Sequence, residues 1–178
     1  MTENNPTIHP LTSFSEDERM LMKAAEELGR TVIKPKSQAM EEAAELDPEI
    51  IQTLFEMGLM GIEIPERYGG SGGTFFMSIL AIEQISRADA SVGAFMDVQN
   101  TLVNNVFLRW GTEALNEKYL PLLASEKVGA YCLSESGSGS DAFALKCSAR
   151  KDGDSYILNG NKMWITNGPD ADVLVVYA

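Results

Sequence analysis

Near residue 128 the spacing of apolar residues changes, and the change restricts the chain to an α+β plan. Before it, Leu21, Ala24, Ala25, Leu28 and Val32 recur at the interval of an amphipathic helix. After it, Leu145, Cys147 and Ala149 alternate with polar residues at period two, and residues 128–133 and 173–177 are strand-like. We expect an irregular tail over 1–14, an all-α helical domain over 15–128, and a partial antiparallel β-domain over 129–178.

Cap chemistry marks where the helices begin and end. Ser15 with Glu18 forms a capping-box pattern, and Pro35 closes that first run. A second helix is expected over 36–45. Asp47 followed by Pro48 reads as an N-cap with proline at the first helical position, and Gly58 as the residue just past the C-terminus. The glycines at 69, 70, 72 and 73 require a loop. Phe76, Ile79, Leu80 and Ile82 mark the next helix. A longer one starts near Asp89 or Ser91 and ends at Gly111, and the last starts at Thr112 and meets Pro121. Beyond 128, Asp152-Gly153 and Asn159-Gly160 read as hairpin turns, the second flanked by 156–158 and 163–166. A sheet that stops after a few strands leaves unpaired edge groups, so the chain is expected to be a fragment or truncated form of a longer one.

Charge narrows the function. The 178 residues carry a formal charge of -12, of which residues 1–130 contribute -10. Such a surface repels phosphate backbones and argues against general nucleic-acid binding. No apolar run is long enough for a bilayer. The two cysteines, Cys132 and Cys147, give no disulfide framework, and with the single His9 they give no zinc spacing. One histidine in a tail leaves a Ser-His-Asp triad without basis. The first residues show no signal core or Arg-rich presequence.

The densest chemical signal is the segment from Cys132 to Ala144, which leaves a strand and bends through Ser134-Glu135-Ser136-Gly137-Ser138-Gly139-Ser140-Asp141. Small residues let backbone N–H groups approach an anion, and the serines add donors. The same chemistry also suits an ordinary surface turn. It is neither a phosphate-binding Gly-Lys-Ser/Thr loop nor a dinucleotide fingerprint, because Ala142 stands where a third glycine belongs and no helix follows.

This segment resembles the first signature of the acyl-CoA dehydrogenases at every defined position. Residues 158–167, Leu-Asn-Gly-Asn-Lys-Met-Trp-Ile-Thr-Asn, resemble that family's second flavin segment at the expected separation. Gly58-Leu59-Met60-Gly61-Ile62, Tyr68-Gly69-Gly70 and Tyr119-Leu120-Pro121 resemble its helical domain. The likeness is greatest to the short/branched-chain branch. It implies FAD as cofactor, with Tyr131, Leu133 and Ser134 lining the flavin ring and Gly139 and Ser140 near the pyrophosphate. Ser140 is also placed near the acyl-CoA chain, Trp164 on the ring face away from substrate, and Ile165 and Thr166 at the polar edge. On packing grounds alone Trp164 reads as a core aromatic in a strand. Many relatives have Pro-Gly-Ala-Gly-Ser where this chain has Ser136-Gly137-Ser138-Gly139-Ser140.

The resemblance further implies α,β-dehydrogenation of short or branched-chain acyl-CoA thioesters, electron-transfer flavoprotein as acceptor, a homotetramer for the full-length protein, and the mitochondrial matrix. The family's C-terminal helical bundle, which carries its catalytic base, is absent from these 178 residues, so no catalytic residue is assigned. Glu135 is read as an anchor for its loop, and Glu83 and Asp97 as helix-surface or neutralised groups. The alternative is a non-catalytic truncated product that binds flavin weakly or pairs with full-length subunits. A further reading, an acyl-CoA oxidase relative, differs in how reduced flavin meets oxygen.

Overall fold

The structure is a computed structural model that describes residues 13–178. Helix α1 (Glu16–Leu28) opens with the capping box read from the sequence. Ser15 N–H donates to Glu18 Oε2 at 2.7 Å, and Glu18 N–H donates to Ser15 Oγ at 3.2 Å. Phe14 stacks on Phe76, with ring centroids 6.2 Å apart. Pro35 does not end the helical run. The chain passes through a π-helical turn (Gly29–Ile33) and a 3-10 turn (Lys34–Lys36) into α2 (Ser37–Ala43). At the start of a new helical segment proline lacks only an N–H that has no partner there. Helix α3 (Pro48–Glu56) is capped by Asp47, whose Oδ1 accepts from Glu49 N–H at 2.8 Å. It ends at Gly58, φ +69°, where Gly58 N–H donates to Phe55 O and Leu59 N–H to Leu54 O, both at 2.9 Å.

The connector that follows is buried, with Leu59, Met60, Ile62 and Ile64 at 0–2% exposure. A buried irregular segment must find partners for its backbone. Two buried amides supply them. Asn100 Nδ2 donates to Leu59 O at 2.7 Å, Ile62 N–H donates to Asn100 Oδ1 at 3.0 Å, and Asn104 Nδ2 donates to Met60 O at 2.8 Å. Those amides lie on the long helix expected from Asp89 onward. It comprises α5 (Ala90–Asp97), a π-helical stretch (Val98–Asn104) and α6 (Asn105–Trp110). Helix α4 (Phe75–Ala88) precedes it, and α7 (Glu113–Ser125) follows, running on past Pro121. Two apolar clusters result. One joins Leu28, Ile50, Leu54, Phe95 and Met96; the other joins Ile64, Val103, Leu120 and Leu123.

Four strands follow: β1 (Gly129–Cys132), β2 (Ser148–Asp152), β3 (Ser155–Asn159) and β4 (Val173–Val176). The antiparallel expectation holds for the β2–β3 hairpin, which turns at Gly153, φ +62°. The pair β1–β4 is parallel, with Gly129 opposite Val173. A parallel pair needs a long crossover, and residues 133–172 provide one. Its return is pinned at Asp172, where Val128 N–H donates to Asp172 Oδ2 at 3.1 Å and Lys127 Nζ donates to Oδ1 at 3.0 Å. The hairpin expected at Asn159-Gly160 does not form, and residues 163–166 are not a strand. At Gly160, φ +152°, a Cβ would lie 2.7 Å from Cys147 Cα, and Trp164 and Asn167 both take positive φ. The chain therefore bends back toward the helices and does not run beside β3. Among the described residues no helix is long and apolar enough to cross a membrane.

Candidate cofactor site

Strand β1 delivers Leu133 and Ser134, both half-buried, to a tight bend. Glu135 N–H donates to Ser138 O at 3.0 Å and Ser138 N–H to Glu135 O at 3.1 Å, which closes the turn. Ser138 Oγ then donates to Asp141 O at 2.8 Å. Ser136, Gly137, Gly139 and Ser140 lie exposed on its outer side. Nothing in the chain comes within 4 Å of a Cβ built on Gly137 or Gly139, and neither has a positive φ. The fold itself makes no demand for glycine there, so the open side is available to something outside the chain.

Glu135 is the anchor of this bend. Its carboxylate accepts from Lys146 N–H at 2.7 Å, Cys147 N–H at 2.9 Å and Lys162 Nζ at 2.7 Å. The side chains of Glu135 and Lys162 are only 7% and 12% exposed. The Lys162 ammonium, then the two backbone donors, hold the Glu135 carboxyl down at about 2. The sequence reading of Glu135 as a loop anchor matches this geometry, but Lys162 was missed. Its neighbours Asn159, Gly160 and Asn161 carry turn chemistry, which points to a surface loop and gives no sign of a buried cation.

Lys162 and its neighbour also bring the second segment to the first. Lys162 Nζ donates to Leu133 O at 3.1 Å, and Met163 N–H donates to Ser134 O at 3.0 Å. Trp164 follows at φ +58° and is 86% exposed, so it is not a core aromatic. Ile165 is half-buried and Thr166 exposed. Asn167, φ +65° and buried, fixes the segment to the rest of the fold: its Nδ2 donates to Phe95 O and to Gly129 O, each at 3.1 Å.

The structure therefore joins Leu133 and Ser134 to the start of the 163–166 segment. Two other expected residues also line grooves. Tyr131, whose ring lies 4.9 Å from that of Tyr177, lines a groove of about 410 Å3 beside α6. Thr166 lines one of about 1030 Å3 with Met40, Leu46 and Phe95. Cys132 is a buried free thiol whose pKa burial pushes up, which suits packing better than nucleophilic work. Glu83 is an exposed partner of Arg87, and Asp97 accepts from Thr101 Oγ1 at 2.8 Å. His9 lies outside the described residues.

Two family profiles match this chain: acyl-CoA dehydrogenase, N-terminal domain, over residues 15–127, and acyl-CoA dehydrogenase, middle domain, over residues 130–178. The chain belongs to the acyl-CoA dehydrogenase family. It is 45% identical over 177 residues to the mitochondrial short/branched chain specific acyl-CoA dehydrogenase of Bos taurus, covering 99% of this chain and 41% of that protein. The butyryl-CoA dehydrogenase structure from Megasphaera elsdenii superposes with a TM-score of 0.87 at 34% identity, covering 92% of this chain and 44% of that one. An acyl-CoA dehydrogenase from Bacillus anthracis, solved with FAD, gives 0.87 at 37% identity, covering 93% of this chain and 29% of that one. FAD is the cofactor of this family. The chain spans about two fifths of the length of the curated relatives it matches. The residues present fit the group: an exposed indole held beside Ser134, next to a glycine bend open on its outer side, suits a flat ring with a phosphate tail.

Proposed function

We propose that this protein supplies ring-edge and phosphate-facing segments for FAD-dependent α,β-dehydrogenation of short or 2-methyl-branched acyl-CoA thioesters. The observation that supports it is the bond from Met163 N–H to Ser134 O, which sets Leu133 and Ser134 beside Trp164. FAD, when bound, accepts the substrate's β-hydrogen as hydride. Leu133 borders the ring, the Ser134 hydroxyl donates to its polar edge, and Ile165 and Thr166 meet that edge from the second segment. Donors placed there favour the charge that builds during reduction. Tyr131 extends the same wall. Trp164 covers the face away from substrate, Gly139 and Ser140 approach the pyrophosphate, and Ser140 also meets the acyl-CoA.

Glu135 is unfit to take the α-proton. Its oxygens are occupied by three donors, and a carboxyl that titrates near 2 is a weak base at neutral pH. The proposal assigns the base to residues outside this chain. It also takes electron-transfer flavoprotein as the acceptor, a homotetramer as the assembled form and the mitochondrial matrix as the compartment.

Titrating the purified chain with FAD tests this reading. A yellow protein that retains flavin through gel filtration is expected, with affinity weakened about tenfold by Trp164→Ala, the loss of one aromatic contact face. Oxidation of 2-methylbutyryl-CoA by the isolated chain should be undetectable, and measurable turnover would place a base within it. A second reading, a non-catalytic product that pairs with full-length subunits, draws support from exposed apolar groups at Phe143, Tyr156, Ile157 and Leu158. A colourless chain that aggregates on its own favours that reading.

A further inference from the structure

The ion pair that anchors the bend also touches the peptide next to the cofactor site. The side chains of Lys162 and Glu135 are 12% and 7% exposed, so water screens their charges little. An ammonium has three donors to place. One goes to Glu135 Oε1 at 2.7 Å and another to Leu133 O at 3.1 Å. Glu135 spreads its charge further, accepting from Lys146 N–H at 2.7 Å and Cys147 N–H at 2.9 Å. The carboxylate is thus turned toward residues 146–147, while the ammonium bears on the Leu133 carbonyl. Its field reaches the end of β1 as well: burial pushes the Cys132 thiol up, and the Lys162 charge opposes that push.

The Leu133 carbonyl belongs to the same peptide unit as the Ser134 N–H. That unit is planar and trans, so the N–H points away from the oxygen that Lys162 holds. A cation on the oxygen draws electron density through the amide and strengthens the N–H as a donor, as hydrogen bonds in a chain polarise one another. Ser134 N–H has no backbone acceptor among the described residues, whereas Glu135 N–H, the next along, donates to Ser138 O. A strengthened donor without an acceptor, on a half-buried residue, suits a group from outside the chain.

We propose that Lys162 is a positioning residue that polarises the Ser134 amide through the Leu133 carbonyl and so raises the electron affinity of the flavin edge that Ser134 meets. This role rests on the flavin reading given above. A donor that gains most when its acceptor turns negative favours the reduced ring over the oxidised one. Two substitutions break the ion pair with opposite electrical results. Lys162→Met removes the cation and leaves the carboxylate. Glu135→Gln removes the carboxylate and leaves the cation on Leu133 O. A clamp that only held the bend in shape would loosen in both.

The two-electron potential of FAD on the full chain, read by reduction against a reference dye, tests this. Lys162→Met should favour the reduced form about tenfold less, a fall of about 30 mV. Glu135→Gln should shift the potential upward, and Lys162→Arg, which keeps a cation and its donors, should return most of the loss. A second readout needs no flavin. Base-catalysed exchange of the Ser134 amide hydrogen in the FAD-free chain should slow severalfold in Lys162→Met, since a less acidic N–H gives up its proton less readily; a loosened bend would exchange faster. With FAD still bound, a potential unchanged in Lys162→Met, a fall in both variants, or quickened Ser134 exchange would overturn this proposal and leave the flavin reading standing. A chain that retains no FAD would overturn both.

Discussion

Asn167 holds the second site segment by two separable forces, and substituting it by alanine and by glycine tells them apart. Its buried amide donates to Phe95 O and Gly129 O, and its backbone sits at φ +65°. Either substitution removes both hydrogen bonds, worth about 0.5–1.5 kcal/mol each. Asn167 Oδ1 is buried without a partner, so its removal returns a little of that loss. Alanine adds the left-handed backbone cost of roughly 1–2 kcal/mol. Glycine avoids that cost but gains about 0.4–1 kcal/mol of unfolded-chain entropy. The expected losses are roughly 2–5 kcal/mol for Asn167→Ala and roughly 1.4–4 kcal/mol for Asn167→Gly, against a total of about 5–15 kcal/mol for a domain. Urea unfolding of the 178-residue chain, followed by far-UV circular dichroism, measures both. Glycine proving worse than alanine would refute the backbone argument, and two variants within about 0.5 kcal/mol of the parent would refute the hydrogen-bond argument as well.

Three further outcomes follow from buried groups. The Glu135 carboxyl titrates near 2 in the fold, below its ordinary 4.5, so it adds stability above about pH 4.5 that fades as pH falls through 2. Glu135→Gln should flatten the unfolding-versus-pH curve across that window, and an unchanged slope would show the ion pair to be idle. Gln99 is fully buried, donates to Leu123 O at 2.9 Å and Lys127 O at 3.0 Å, and accepts Gly129 N–H at 2.7 Å. Gln99→Leu orphans all three groups and should cost about 3–9 kcal/mol in urea unfolding, at about 1–3 kcal/mol for each group left bare. A Cβ on Gly93 would lie 2.0 Å from Ser86 Oγ, so Gly93→Ala should lower stability by about 1–3 kcal/mol. A thermal midpoint at or above the parent's would mean that Ser86 simply rotates away.

What could be read from the sequence was local. The Ser15 box, the Asp47-Pro48 start and the Gly58 stop each depend on residues within one turn of each other, and each stands where the pattern put it. Pro35 misled because its effect depends on whether a new helical segment starts there. The parallel pairing of β1 with β4 and the missing second hairpin were out of reach. Both follow from bonds between distant residues, Asp172 with Val128 and Asn167 with Phe95. The site divides the same way. The meeting of Ser134 with Met163 agrees with the pairing of two signature segments, whereas Lys162 and the buried amides Gln99, Asn100 and Asn104 read as ordinary polar helix or loop residues until the partner backbone is seen.

The π-helical stretch from Val98 to Asn104 has a consequence for heredity as well as for geometry. Widening one turn of a helix shifts the angular phase of every residue after it, so the inward-facing amides and outward-facing Arg109 can share one rod. A single codon lost within that stretch would restore ordinary pitch and leave the residues beyond it near their present phase, because the wide turn holds one residue more than an ordinary one, but it would take the amides inside the stretch out of register with the backbone they bind. Length, more than composition, is what descendants of this segment must preserve.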